Sequence, residues 1–162
     1  MCATRKSNPF HQGKMKIINE EKYKGKTDEI FFRSGLENRW MRFLDNCPLI
    51  EKWSSETVVV PYINEVDGKP HRYFTDNWIK LRDGREFLIE LKPKKYTKPP
   101  RKNSKRYLSE SLEFVRNQSK WNYADKYAKK NNMEFKVITD KEVSTIFSDS
   151  KILENIRKIL NF

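Results

Sequence analysis

Apolar residues recur at helical spacing in three stretches of the chain and alternate in one. Leu36, Trp40, Phe43 and Leu44 follow Ser34–Gly35–Leu36–Glu37, an S-x-x-E capping box. They predict a helix that opens at Ser34 and stops near Cys47–Pro48. Thr57 to Val60 is β-branched and predicts a strand ended near Pro61. Two more strands, about 72–81 and 85–92, meet at Asp83–Gly84. A long helix follows from about Ser104 to Lys130, with Leu108, Leu112, Val115, Gln118 and Trp121 on one stripe. Then come a short strand, Glu134 to Thr139, and a last amphipathic helix marked by Ile152, Leu153, Ile156, Ile159 and Leu160. Residues 1–28 carry little periodic signal and read as a mobile basic arm. The order predicts one α/β domain over residues 29–145. The C-terminal segment, 146–162, is either packed on it or used for assembly.

The hairpin at Asp83–Gly84 can close in two ways. A two-residue loop mixes apolar and polar side chains on both faces. A three-residue loop, Arg82–Asp83–Gly84 with Gly84 left-handed, gathers Ile79, Leu81, Phe87, Ile89 and Leu91 on one face. The other face then pairs Lys80 with Glu86 and Trp78 with Leu88. A one-residue slip would destroy that separation, so the three-residue loop is the expected register. It sets Asp76 directly opposite Glu90, with Lys92 two residues along the same face. Opposed like charges destabilise a sheet. A hard divalent cation would relieve the repulsion, because carboxylate and water oxygens suit Mg²⁺. Lys92 as a plain counter-charge to two tolerated surface acids is the other reading.

Charge changes the picture more than composition does. The 162 residues hold 34 Lys+Arg and 22 Asp+Glu, a net +12. Lys92 to Arg106 contains eight basic residues and no acidic one, hence eight of the twelve excess charges, whereas residues 29–91 are slightly acidic. Such a cluster suits a polyanion such as double-stranded DNA, although a solvated charge run is the plain alternative. Pro99–Pro100 makes it an extended strap rather than a helix. Ten Phe, seven Tyr and four Trp argue for a folded core. No apolar run approaches the roughly 20 residues of a membrane span, and no signal peptide is expected. Two cysteines, Cys2 and Cys47, are too few for a disulfide scaffold and fit a reducing, intracellular setting. Two histidines make a zinc cage unpromising, and no nucleotide-binding glycine loop is present.

Asp76 followed by Glu90–Leu91–Lys92 resembles the Asp…Glu-x-Lys core of the restriction-endonuclease-like, PD-(D/E)xK, nucleases. Arg33 to Glu37, Trp53 to Glu56, Gly68 to Asp76 and Ile89 to Pro93 are similar to the branch that holds transposon-end nuclease subunits. Lys92 to Pro100 and Gln118–Ser119–Lys120–Trp121 resemble the head-completion nucleases of T4-like tailed phages. The resemblance spans roughly residues 20–145. It implies a core of helix, three-stranded antiparallel meander, helix and further strand. It also implies a Mg²⁺-dependent deoxyribonuclease, with Mn²⁺ able to stand in, that trims or cuts packaged DNA before head–tail joining. The partners implied are double-stranded DNA and phage head or portal components. The implied place is the host cytoplasm beside assembling heads, with retention in the virion open.

Carried over residue by residue, Asp76 and Glu90 become metal ligands and Lys92 the cation that orients water and offsets phosphate charge. Glu37 becomes a further acid at the metal, though as third helical residue it is also explained by the capping box. Gln118 becomes a polar helix residue facing the site, with a satisfied core Gln as the alternative. Lys94, Lys95, Lys98, Arg101, Lys102, Lys105, Arg106 and Arg72 become DNA contacts. The chain departs from the pattern at Thr75, where Pro is common, and at Asn77, where Phe is common. Two other functions stay open: a non-enzymatic DNA-binding assembly factor with a relic site, and a nuclease of transposition, repair or defence.

Overall fold

The structure, a computed structural model, describes residues 12–148 and 151–161. Along the chain run β1 (Gly13–Lys14), β2 (Phe31–Phe32), α1 (Gly35–Asn46), β3 (Ile50–Ser55), β4 (Val59–Asn64), β5 (Lys69–Phe74), β6 (Asn77–Leu81) and β7 (Glu86–Lys92). After these come α2 (Tyr107–Lys130), β8 (Glu134–Thr139), α3 (Asp140–Ser148) and α4 (Ile152–Leu160). Strands β3, β6, β7 and β8 form one sheet in that order. The first three are antiparallel, and β8 joins β7 in parallel. A parallel neighbour needs a long crossover, which α2 supplies. Helix, meander, helix and strand thus follow in the order the resemblance implies.

The β6–β7 hairpin has the three-residue register: Asn77 pairs with Ile89, Trp78 with Leu88, Ile79 with Phe87 and Lys80 with Glu86. Gly84 closes it at φ +92°, a conformation a side chain would resist. Ile79, Leu81, Phe87, Ile89 and Leu91 face the main core. There they meet Trp40, Phe43 and Leu44 of α1, Val143 and Ile146 of α3, and Ile156 and Leu160 of α4. Trp78 and Leu88 face the other way, against Ala128 of α2. Alternation along β7 puts Glu90 and Lys92 on this second face. Strands β4 and β5 form a separate two-stranded ribbon that packs on Ala124 of α2 through Val60, Tyr62 and Tyr73.

Several expectations need correction. The strand that completes the meander is β3, which follows α1 almost at once; the Val58–Val60 segment belongs to the ribbon instead. The ribbon runs through Pro61, opposite Arg72, because each of its two strands has an open edge where a missing N–H costs little. The single strand expected over 72–81 is broken between Phe74 and Asn77. The basic arm is not free over residues 12–28. Met15 and Ile17 are 4% and 5% exposed, and the Ile18 and Asn19 N–H groups donate to the Asp45 carboxylate. Lys22 is buried, and its Nζ donates to the carbonyls of Leu44, Asp45 and Cys47 at 3.3, 2.7 and 2.8 Å, capping the end of α1. The arm before residue 12 lies outside the described residues. The strap is not wholly extended, since Lys94–Thr97 forms a 3-10 turn. The C-terminal segment is two helices, α3 and α4, with Ile156 and Leu160 packed into the core.

Helix α2 does not present the expected apolar stripe to the core. Leu108 is 73% exposed, and Leu112 and Val115 are also exposed. At 24 residues α2 is about 36 Å long, well beyond the roughly 20 Å of a sheet strand, so its first turns overrun the sheet. Its buried residues are Asn117, Ser119, Ala124 and Ala128.

Candidate active site

The break between β5 and β6 positions the first acid. Asp76 falls in the gap, just outside the ladder, where its carboxylate turns onto the backbone of β7. Its Oδ2 accepts the Leu91 N–H at 2.6 Å, and its carbonyl accepts the Glu56 N–H at 3.1 Å. Glu56 has a positive φ of 53°, an uncommon conformation for a residue with a side chain. Glu90 lies on the central strand β7 and is only 6% exposed. Its Oε2 accepts the Tyr73 hydroxyl at 2.6 Å. Lys92, the last residue of β7, holds its Nζ 4.0 Å from Glu90 Oε1.

The two acids are held against their preference. Burial is the first cause that raises the Asp76 pKa, and the Glu90 charge is the second; the Leu91 N–H and Lys92 pull it back. Burial also raises Glu90, opposed by the Tyr73 bond and by the charges of Lys92 and Lys120. The Trp121 indole also bears on Glu90, yet Nε1 is buried without a hydrogen bond of good geometry. Burial and the adjacent carboxylate push the Tyr73 hydroxyl far up, so it remains a donor. Each acid therefore has one oxygen fixed by a protein donor. The other oxygen, Oδ1 of Asp76 or Oε1 of Glu90, accepts no hydrogen bond from the described residues.

Glu37 stands near enough for its charge to bear on Asp76. Its own oxygens are engaged, however. Oε2 accepts the Arg33 N–H at 2.7 Å and Oε1 the Ser34 hydroxyl at 3.0 Å, while Ser34 Oγ accepts the Glu37 N–H. Ser34 is extended, and the capping box closes back on Arg33 rather than on the Ser34 N–H. Among the described residues, no three His, Cys, Asp or Glu side chains converge closely enough to hold a metal. Beside Glu37, the Arg33 guanidinium grips the Glu56 carboxylate with both terminal nitrogens.

The structure separates the remaining expected residues. Gln118 is exposed on α2 and makes no hydrogen bond with the described residues, so it does not face the acids. The α2 residue that reaches toward them is Lys120, with Nζ 5.6 Å from the centre of the Tyr73 ring. Arg72 lies over Phe74 on the face of the ribbon opposite to Tyr73, away from Glu90. Lys94, Lys95, Lys98, Arg101, Lys102, Lys105 and Arg106 are all exposed and form no ion pair with described residues. Part of this strap lines a crevice of about 430 Å³ against α2. Tyr73 and Lys120 were the residues missed. Tyr73 gave no sequence signal of its own. Lys120 did: it lies in the α2 stripe Asn117, Lys120, Ala124 and Ala128, a charge within a buried face.

Residues 47–140 match the family described as "TnsA-like endonuclease N terminal". The chain belongs to the TnsA-like endonuclease family. Over 137 residues it is also 39% identical to the head completion nuclease of Enterobacteria phage T4, across 80% of this chain and 91% of that protein. Both likenesses support a nuclease with a restriction-endonuclease-like fold. The TnsA-like segment contains Tyr73, Asp76, Glu90, Lys92 and Lys120, and Glu37 precedes it.

Proposed function

We propose that this TnsA-like protein is a divalent-metal-dependent nuclease that hydrolyses phosphodiester bonds of double-stranded DNA. The observation that carries the reading is the pair of leftover oxygens on Asp76 and Glu90, two acids crowded together with Lys92 on the same strand as Glu90. That donor set fits a hard cation. Mg²⁺ is commonly held by one or two carboxylates, with waters and substrate phosphate completing the shell. Asp76 and Glu90 are the ligands, and Mn²⁺ can replace Mg²⁺. When bound, the ion polarises the phosphate and lowers the pKa of a nearby water.

The chain's own groups do the rest. The Leu91 N–H and the Tyr73 hydroxyl fix the two acids, so the remaining oxygens are aimed before substrate arrives. Lys92 offsets charge on the reacting phosphate as a point cation. Glu37 acts as an outer acid through the α1 cap. The strap from Lys94 to Arg106 grips backbone phosphates, giving affinity without sequence preference.

The likeness to a head completion nuclease, over nearly all of that protein, supports a role in phage head completion. In that role the enzyme cuts or trims packaged DNA before tails join, in the host cytoplasm and beside head components. The test is plasmid DNA with Mg²⁺ or Mn²⁺, comparing the parent with Asp76→Ala and Glu90→Ala. The parent should cut, and each variant should lose about 100-fold or more, since even outer partners of a metal site are worth about 10–100-fold. No cutting by the parent with either ion, or equal cutting by the variants, rejects the proposal.

A further inference from the structure

We infer that Lys120 is a second substrate-contacting cation of this site, binding a DNA phosphate from the helix side while Lys92 approaches from the sheet side. The inference rests on the nuclease reading above and adds a residue to it.

Lys120 is placed at a cost that packing does not explain. It lies on the face of α2 that buries Asn117, Ala124 and Ala128, so its side chain is half-buried. Helical neighbours three and four residues away usually supply a lysine's partner, as Asp125 does for Lys129 and Glu154 for Lys158. Around Lys120 those positions are Asn117, Tyr123, Arg116 and Ala124, which offer no carboxylate and one like charge. No described carboxylate lies within 4 Å of its Nζ. Buried or half-buried cations are normally paired.

What faces Lys120 is the Tyr73 ring and, beyond it, the field of Glu90, with Lys92 and Arg116 adding like charge and Glu113, further along α2, a smaller opposite one. Two cations, Lys92 and Lys120, thus flank one buried carboxylate that a metal ion would claim. An anion with several oxygens is the group that such cations can share, and the phosphodiester is the anion this site receives. Gln118 is turned to solvent, whereas Lys120 reaches over the Tyr73 ring that bonds Glu90.

The test uses Lys120→Met, Lys120→Gln and Lys120→Arg in the full chain, with three readouts. First, single-turnover cleavage at saturating DNA should fall about 10- to 100-fold in the Met and Gln variants, the scale of a charge-assisted hydrogen bond, and recover substantially in Arg. Second, DNA binding is titrated against salt in an Asp76→Ala background, where nothing is cut. The log–log slope should drop by about 0.9 when Lys120 is neutralised, the value of one phosphate contact. Third, thermal melting checks that the variants fold. An unchanged salt slope, or a neutral variant that cuts at the parental rate, overturns the inference. A lysine that only balanced Glu90 would alter melting and leave the slope alone. The slope is read without catalysis, so a parent that fails to cut rejects the nuclease reading while the phosphate contact is still decided.

Discussion

Replacing Asp76 by Asn should abolish cutting and stabilise the metal-free protein at the same time. The amide keeps an oxygen for the Leu91 N–H, which Asp76 Oδ2 now accepts at 2.6 Å. It also removes the charge that faces Glu90. The Glu90 charge bears directly on Asp76, and two charges about 5–8 Å apart at an effective dielectric near 20 repel by about 2–3 kcal/mol. Lys92 and Lys120 screen part of this, which leaves a gain of about 1–3 kcal/mol, or about 2–10 °C in Tm for a domain of this size. The sign follows from the raised pKa. A carboxyl whose folded pKa lies above its ordinary 3.8 contributes stability that is complete below that value and lost as pH rises through the folded pKa. The variant's advantage should therefore be near zero around pH 4 and grow toward neutrality. The assay is thermal melting from pH 4 to 8 in chelator, parent against variant, repeated with Mg²⁺. Saturation with Mg²⁺ at about 100 times its Kd should add about 2.7 kcal/mol to the parent and much less to the variant. A variant that melts no higher than the parent at pH 7 in chelator, or an advantage independent of pH, refutes the reasoning.

Neutralising Lys94, Lys95, Lys98 and Arg101 together should flatten the salt dependence of DNA binding by up to about 0.9 for each phosphate no longer held, while melting stays unchanged; a preserved slope removes the strap from the DNA interface. Lys22→Met should lower stability by about 1–3 kcal/mol, because three α1-end carbonyls lose a buried charged donor, and should leave DNA affinity intact. A melt equal to the parent's would show that Lys22 does not hold that segment.

Local patterning in the sequence was legible wherever one rule governed. The capping box placed the start of α1, and alternation with Gly84 fixed the β6–β7 register, which in turn brought Asp76 to Glu90. The errors arose where a longer-range fact overrode a local one. Ile50–Ser55 follows a helix directly and carries Glu51 and Lys52, so its alternation is too short to stand out; its place between α1 and β6 comes from the sheet. Residues 12–28 lack periodicity because they bury single residues, Met15, Ile17 and Lys22, against α1 instead of forming a face of their own. The Leu108–Leu112–Val115 stripe has the spacing of a core helix, but the sheet ends before it. Gln118 and Lys120 stand two positions apart, about 200° around the helix, so a motif naming both could not say which one turns inward.

The site can be recognised as the place where several departures from the ordinary rules of folding stand together. Away from it the exceptions are isolated, such as the unpartnered Trp40 and Trp53 indole N–H groups in the main core and the positive φ of Asn132 and Asn161. Within one cluster stand two acids raised by burial, Asp76 also by the Glu90 charge, a half-buried lysine without an ion pair, and a glutamate at positive φ. Each costs stability, and none improves the packing of the core. Conflicts of this kind scattered over a surface would mean little. Gathered around Asp76 and Glu90, they share one remedy, since a cation on the two acids and a phosphate on Lys92 and Lys120 would satisfy the charges together. The strain gathered there is therefore what a site preorganised for the proposed metal and DNA backbone would carry.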